Sequence, residues 1–388
     1  MKRILMACSQ YWGSPLRVGS HQIARILAQD GWQVAYVSFP ISPAHLFGPR
    51  DQTRLKDRFA VYRAGGIHAE GGNLWAYVPG SVAVPANKPL LKSGWVHKNW
   101  HRLAFPPILD RIRQNGFGSV DVMYFDSVYF NFLLDGIGAR QVVYRAADDP
   151  KLRDTYCPAV GREQEALVKA ADVVLYPSLG VKKGIDPGDP EKFRYFSNGV
   201  VFDDYAAQAE LPPEYAQIPR PRAVFAGAIV EWLDFQALNQ AAEALPGVSF
   251  VYIGPLLPPA KKIARHQNVF LLGEKGYHQL PGYLQHADVG LMPFDMNKYP
   301  ELVGGLNPAK LYQYFACGKP VVASDWREIR EMGLPLFLSR DPGHFANSIK
   351  AAIANPGDPE KYIRIARAND WGLKVRELFQ GLGQVLQV

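Results

Sequence analysis

The chain has little cysteine: three residues in 388, at Cys8, Cys157 and Cys317. An odd and scattered set makes neither a disulfide framework nor a zinc spacing, so a reducing cytoplasm is expected. Long apolar runs are also missing, and nothing approaches the roughly 18 residues of a membrane span. The start, Met1 to Cys8, is basic then apolar. It breaks at Ser9-Gln10, which reads as a first β-strand rather than a leader peptide. No Ser or Cys nucleophile constellation, internal repeat or low-complexity tract stands out. No Asp-x-Asp pair occurs, so the carboxylate clamp that would hold a divalent ion on a diphosphate is absent, and no metal or other cofactor is expected.

What is present is enough apolar material, 48% of residues, for more than one core. The length predicts two domains of roughly 150–200 residues. Short β-rich runs alternate with helical patterns, which predicts α/β with parallel sheets. In the first half, strands are expected at 3–8, 33–39, 120–125, 141–144 and 173–176, with helices at 20–30, 107–115 and 162–171. In the second, strands are expected at 223–226, 249–253, 269–272, 289–292 and 320–323, with helices at 233–244, 279–286, 308–317 and 344–355. The Pro-rich stretch 203–222 reads as the linker. It gives a first domain of 1–205 and a second of 206–360, with an amphipathic terminal segment, 361–388, beyond.

The net charge is +7, and its placement is uneven. Residues 1–205 hold 25 Lys and Arg against 19 Asp and Glu, and residues 54–113 alone hold 10 against 3. A basic patch suits nucleic acid, anionic lipid or an anionic substrate. No nucleic-acid motif accompanies it. Segment 66–106 carries Trp75, Trp95 and Trp100 among Lys88, Lys92, Lys98 and Arg102. Read as a long functional loop, it offers tryptophans for a headgroup region and cations for anionic lipid. The plainer reading is that its tryptophans pack beneath the loop.

The most telling stretch runs from Asn307 to Ser324. Pro308 suits a first helical position, Gly318 a helix stop, and Val321 to Ala323 a buried strand. Lys310 falls in the helix's first turn, where the dipole disfavours a cation. Uncapped backbone N–H groups and an ammonium together make an anion site that suits a diphosphate. Gln313 lies three residues on, on the same face. Gly227, after the first strand of the second half, would let a phosphate approach the backbone. Glu231 lies in the same loop. Glu274, after Gly273, is either a hydroxyl acceptor or a solvated loop residue. Asp148 and Asp149 follow a strand at the carboxyl end of the first sheet, where open α/β sheets place ligands. Either is placed to act as a base, or to cap the next helix.

With these residues in view, the chain resembles the GT-B glycosyltransferases of bacterial exopolysaccharide synthesis. It is similar to the xanthan glucuronosyltransferase (family 70-like) type and, more distantly, to family 4 and teichuronic-acid-type transferases. The resemblance rests on Lys310-Leu311-Tyr312-Gln313-Tyr314, on Tyr144-Arg145-Ala146-Ala147-Asp148 and on Gly273-Glu274. It implies two Rossmann-like domains facing across a cleft, with a C-terminal helix crossing back to the first. It implies a nucleotide-sugar donor held by Lys310, Gln313, Glu274, Gly227, Glu231 and Asn307, with Asp148, rather than Asp149, as the base. The expected acceptor is a lipid-linked glycan, met at the cytoplasmic face of an inner membrane through Trp95, Lys98, Trp100 and Arg102, with anionic lipid as a partner and no nucleic acid. The family 4 glutamate pair would fall at Gly305 and Gln313, and neither is acidic, which favours inversion over retention. The alternatives are a retaining transferase, a nucleotide-sugar epimerase of the same fold, or a non-catalytic binding module.

Overall fold

The structure, a computed structural model, describes all residues except 15–16, 48–51, 154, 186–190 and 386–388. They form two compact units: Met1–Ser197 with Val375–Val388, and Asn198–Lys374.

The first unit is built on eight strands: β1 (Arg3–Cys8), β2 (Gln33–Ser38), β3 (Ile67–Ala69), β4 (Leu74–Tyr77), β5 (Ser119–Phe125), β6 (Gly138–Arg145), β7 (Val173–Tyr176) and β8 (Phe193–Tyr195). Their order is β3-β4-β2-β1-β5-β6-β7-β8. Only the β3–β4 pair is antiparallel. Ile4 to Cys8 have no exposed surface, as expected of a parallel strand covered on both faces, whose sequence is a continuous apolar run. The chain steps outward from β1 on one side and from β5 on the other, so the carboxyl ends of β1 and β5 mark the switch point.

Segment 66–106, expected as a long irregular loop, instead supplies β3 and β4. Trp75 lies in β4 and stacks on Tyr77 at 5.4 Å. Trp100, expected on an acceptor or membrane side, is fully buried. Its ring meets Phe130 and Phe132 edge-on, and its Nε1 donates to the Tyr129 carbonyl at 2.7 Å. Both tryptophans bury too much apolar surface to be left in water when strands lie beside them. Trp95, by contrast, is 59% exposed, and Lys98 and Arg102 are exposed as well.

The second unit holds β9 (Arg222–Ala226), β10 (Ser249–Ile253), β11 (Val269–Gly273), β12 (Val289–Met292), β13 (Val321–Ser324) and β14 (Phe337–Ser339). Their order is β11-β10-β9-β12-β13-β14, all parallel. The switch point here lies between β9 and β12. The stretch expected as a linker is ordered in this unit: Phe202–Ala206 is helical, and Tyr205 and Tyr215 are buried in its core. The amphipathic terminal segment is two helices, Pro359–Ala368 and Trp371–Val385. Asp370 separates them by accepting from Gly372 N at 2.7 Å and Phe202 N at 2.9 Å. Tyr362 stacks on Phe315 at 4.9 Å within the second unit. Among the described residues no helix is long and apolar enough to cross a membrane.

From Val375 on, the last helix groups with the first unit. Phe379 is 4% exposed and meets Trp32 edge-on at 5.5 Å. Arg376 grips Asp30 with a two-pronged pair, Nε to Oδ2 at 2.8 Å and Nη2 to Oδ1 at 2.9 Å. That pair is partly solvated and is worth at most about 1 kcal/mol, whereas an emptied aromatic site costs about 3–5 kcal/mol. Phe379→Ala should therefore destabilise the first unit several-fold more than Asp30→Asn in denaturant titration. Equal losses would mean that the ion pair, not the ring, holds the helix.

Candidate active site

The second unit's site starts from three glycines at neighbouring strand ends. Gly227 follows β9, Gly254 follows β10 and Gly273 ends β11. Their backbones are joined in a chain: Gly227 N donates to Ile253 O, and Gly254 N to Gly273 O, both at 2.8 Å. Gly254 has φ +148°, and a Cβ there would lie 2.0 Å from Gly227 O. No side chain fits between these crossing backbones. Sequence reasoning found Gly227 and Gly273 but missed Gly254, which belongs to no short motif.

The helix Ala309–Ala316 faces this rim. It begins one residue later than expected, with Pro308 at the N-cap, no side chain capping its first amides and no acidic residue in its first turn. Gly318 ends it at φ +66°, the left-handed position that glycine fills without strain. Tyr314, buried, ties the helix to the sheet. Its hydroxyl accepts from Ala226 N at 3.0 Å and donates to Val224 O at 3.0 Å. Gly290 on β12 leaves room for the ring, since a Cβ would come within 2.5 Å of it. Tyr314 lies in the sequence motif but drew no role from it, because a tyrosine on an apolar face reads simply as core.

Lys310 therefore stands at the carboxyl ends of β9 and β12, at the switch point where open α/β sheets bind ligands. Its ammonium lies 4.8 Å from the Phe225 ring centre and 5.4 Å from that of Phe294. A Cβ on Gly227 would be 2.9 Å from it. It forms no ion pair with a carboxylate among the described residues. Burial pushes its pKa down to about 8, because the charged form loses water without gaining a counterion. The two rings recover part of that loss.

The remaining donor-side candidates are not all brought here. Gln313 lies beside the buried Tyr205 hydroxyl. Asn307 is buried, accepts from Asn198 N at 2.9 Å through Oδ1, and accepts from Asn198 Nδ2 at 2.5 Å through its carbonyl. It thus braces the turn before the helix, and its Nδ2 has no partner among the described residues. Glu274 directly follows β11 and is exposed. Glu231 lines a separate polar cavity of about 440 Å³ with Asp234, Asp295 and Lys298, a recess that Lys310 does not line.

In the first unit, Asp148 stands three residues beyond β6 with its side chain half-exposed. Arg153 holds one of its oxygens, Nε to Oδ2 at 2.9 Å and Nη2 to the same oxygen at 2.5 Å. Asp149 does what the plainer reading of the pair expected: its Oδ1 accepts from Lys151 N at 2.9 Å as the N-cap of the turn Pro150–Leu152. Asp126, after β5, was missed by the sequence reading. It lies at this sheet's switch point and accepts from Ser9 N at 2.6 Å and from the Ser20 hydroxyl. Burial raises its pKa against the opposing pull of those bonds and of Arg145.

Tyr314→Phe deletes one hydroxyl and orphans the buried Ala226 N–H, which costs about 1–3 kcal/mol. It should lower the second unit's stability by that amount and weaken anion binding at Lys310 while the fold persists. An unchanged denaturation midpoint would show that Tyr314 does not hold the helix start to the strand end.

Comparison with known proteins follows the same division. Residues 6–177 match the family "Glucuronosyltransferase GumK, N-terminal domain", and residues 220–355 match "Glycosyl transferases group 1". TuaH of Bacillus subtilis (strain 168), named as a glycosyltransferase of teichuronic acid biosynthesis, is 27% identical over 233 residues, 56% of this chain and 58% of that protein. The UDP-glucuronate:glycolipid 2-beta-glucuronosyltransferase of Xanthomonas campestris pv. campestris is 28% identical over 229 residues, 56% of this chain and 52% of that protein. The chain thus spans little more than half the length of these curated relatives. Among solved structures, sucrose-phosphate synthase from Thermosynechococcus elongatus aligns with TM-score 0.69 at 13% identity, covering 100% of both chains. Anabaena HepE, in complex with UDP and glucose, aligns with TM-score 0.62 at 17% identity, covering 99% of this chain and 100% of its own. At such identities the structural likeness bears on the fold alone.

Proposed function

We propose that this chain, which matches glycosyltransferase family models over residues 6–177 and 220–355 and shares the GT-B fold, moves a sugar from a nucleotide-diphosphate sugar to a glycan acceptor in surface polysaccharide synthesis. The observation that carries this reading is Lys310: a part-buried ammonium with no carboxylate partner among the described residues, over two rings, beside a glycine rim and an uncapped helix start. Such a group gains most from an anion, and a departing diphosphate develops its negative charge at the transition state. The helix amides and Lys310 would neutralise that charge, and the reaction would run without a metal.

Asp148 would take the proton of the acceptor hydroxyl as its oxygen attacks the anomeric carbon and the bond to the diphosphate breaks. Arg153 fixes one carboxylate oxygen and leaves the other to accept. The reading favours inversion, since Gly305 and Gln313 offer no carboxylate on the donor side. Glucuronate is the proposed sugar, and a lipid-linked oligosaccharide at the inner membrane face the proposed acceptor, by extension from the Xanthomonas relative's name. The exposed Trp95, Lys98 and Arg102 support attachment to anionic lipid.

Incubation with nucleotide sugars and lipid extract should release nucleoside diphosphate only when acceptor is present. Conversion of the nucleotide sugar without release would mark an isomerase instead. Lys310→Ala should lower turnover by roughly 10²–10³-fold in a folded protein, and added EDTA should leave wild-type activity intact. Asp148→Asn should abolish transfer yet retain nucleotide binding, with Asp149→Ala milder. An active Asp148→Asn beside a dead Asp149→Ala would transfer the role to the other carboxylate.

A further inference from the structure

We propose that the first unit carries a hydrocarbon-binding cavity that takes the chain of a lipid-phosphate acceptor; this rests on the transferase reading above and gives its acceptor a chemistry. The cavity measures about 630 Å³, within the range of small-molecule sites. It lies between residues 41–45, the helix Gln52–Arg63 and the stretch 80–105. Ile41, Leu55, Phe59, Tyr62, Val82 and Phe105 supply its walls.

Those walls present carbon because their backbone is satisfied elsewhere. Ser81 N donates to Ile41 O at 2.9 Å, Val82 N to Leu103 O at 3.1 Å and Phe105 N to Gly80 O at 3.0 Å. The Tyr62 hydroxyl donates to Phe105 O at 2.8 Å. The Tyr62 ring presses on Gly80, where a Cβ would come within 2.6 Å of it. These contacts tie residues 41, 62, 80–82 and 103–105 of the wall to one another.

Its rim identifies the occupant. Phe59, Val82 and Phe105 line the cavity yet are 48%, 74% and 76% exposed. Three large apolar side chains at one opening exceed the single exposed residues of an ordinary surface. A ligand passing them must itself be apolar. Its polar end must be anionic, because Lys56 also lines the site and forms no ion pair among the described residues. The surrounding segment 54–113 holds 10 basic side chains against 3 acidic. A hydrocarbon chain ending in a phosphate meets both demands, whereas a free neutral glycan meets neither.

The test is calorimetry on the full chain with monomeric n-alkyl phosphates of six, eight, ten and twelve carbons, and inorganic phosphate as the headgroup control. Each buried methylene should strengthen binding about fourfold, so affinity should climb roughly fifteenfold per two carbons until the cavity is full and then level off. Val82→Asp and Phe105→Asp, both at exposed positions, should keep the melting temperature and flatten the climb to the affinity of inorganic phosphate. A flat series in the wild-type chain, or the same climb in the folded variants, would overturn the proposal. So would binding to anionic vesicles with none to the monomeric phosphates, which would mark a surface for bilayers instead. Transfer to a water-soluble glycan, measured in parallel on the wild-type chain, separates the two ideas. A flat series with transfer intact sinks only the cavity, and a climbing series without transfer to any acceptor sinks only the transferase reading.

Discussion

A part-buried ammonium with no carboxylate partner among the described residues sets the terms for the second unit. Lys310 lies at the start of a helix, where the dipole opposes it, and in a setting that pushes its pKa down to about 8. Both features cost stability in the empty protein. Between about pH 8 and the ordinary lysine value of 10.5 the unfolded chain binds the proton more tightly than the folded one. This group's contribution to stability therefore rises with pH across that window, and its full penalty is present below it. An anion bound at this switch point would relieve that penalty, which is the proposed role of the site.

The surroundings serve that arrangement. Gly227 clears the space beside the ammonium, because a side chain there would strike Lys310, and Gly254 lets the Gly227 backbone cross close to it. Phe225 and Phe294 support the cation through their ring faces. Tyr314 fixes the helix start against the end of β9 through the Ala226 amide and the Val224 carbonyl. Asn307 holds the turn that leads into the helix. Packing, hydrogen bonding and electrostatics converge on one helix terminus.

Much of this was legible in the sequence. The run from Pro308 to Ala323 shows its helix, stop and strand because proline, glycine and β-branched residues each have a local backbone reason for their positions. Lys310 stood out as a charge on the wrong end of a helix. Asp149 as a cap was an open alternative that its Asp-Pro context supports. What could not be read depended on contacts distant in sequence. Gly254 matters only through Gly227, and Asp126 only through Ser9 and Ser20. β4 is four residues bracketed by glycines and a proline, and the aromatics of segment 66–106 have two physical uses, in a core or at a membrane. Trp75 and Trp100 went to the core and Trp95 to the surface, a division that composition cannot reveal. Tyr205 and Tyr215 likewise turned a proline-rich stretch, expected as a linker, into part of a core.

The central claim is that Lys310 awaits an anion, and proton linkage tests it most directly. Binding of UDP, followed by calorimetry at pH 8.5 in two buffers of different ionisation enthalpy, reports how many protons the complex takes up. A lysine that titrates near 8 when empty, and is fully charged against a diphosphate, should draw in roughly 0.5–0.8 proton per site, and Lys310→Met should abolish that uptake. Binding of UDP with no proton uptake in the wild-type chain, or with the same uptake in Lys310→Met, would contradict it.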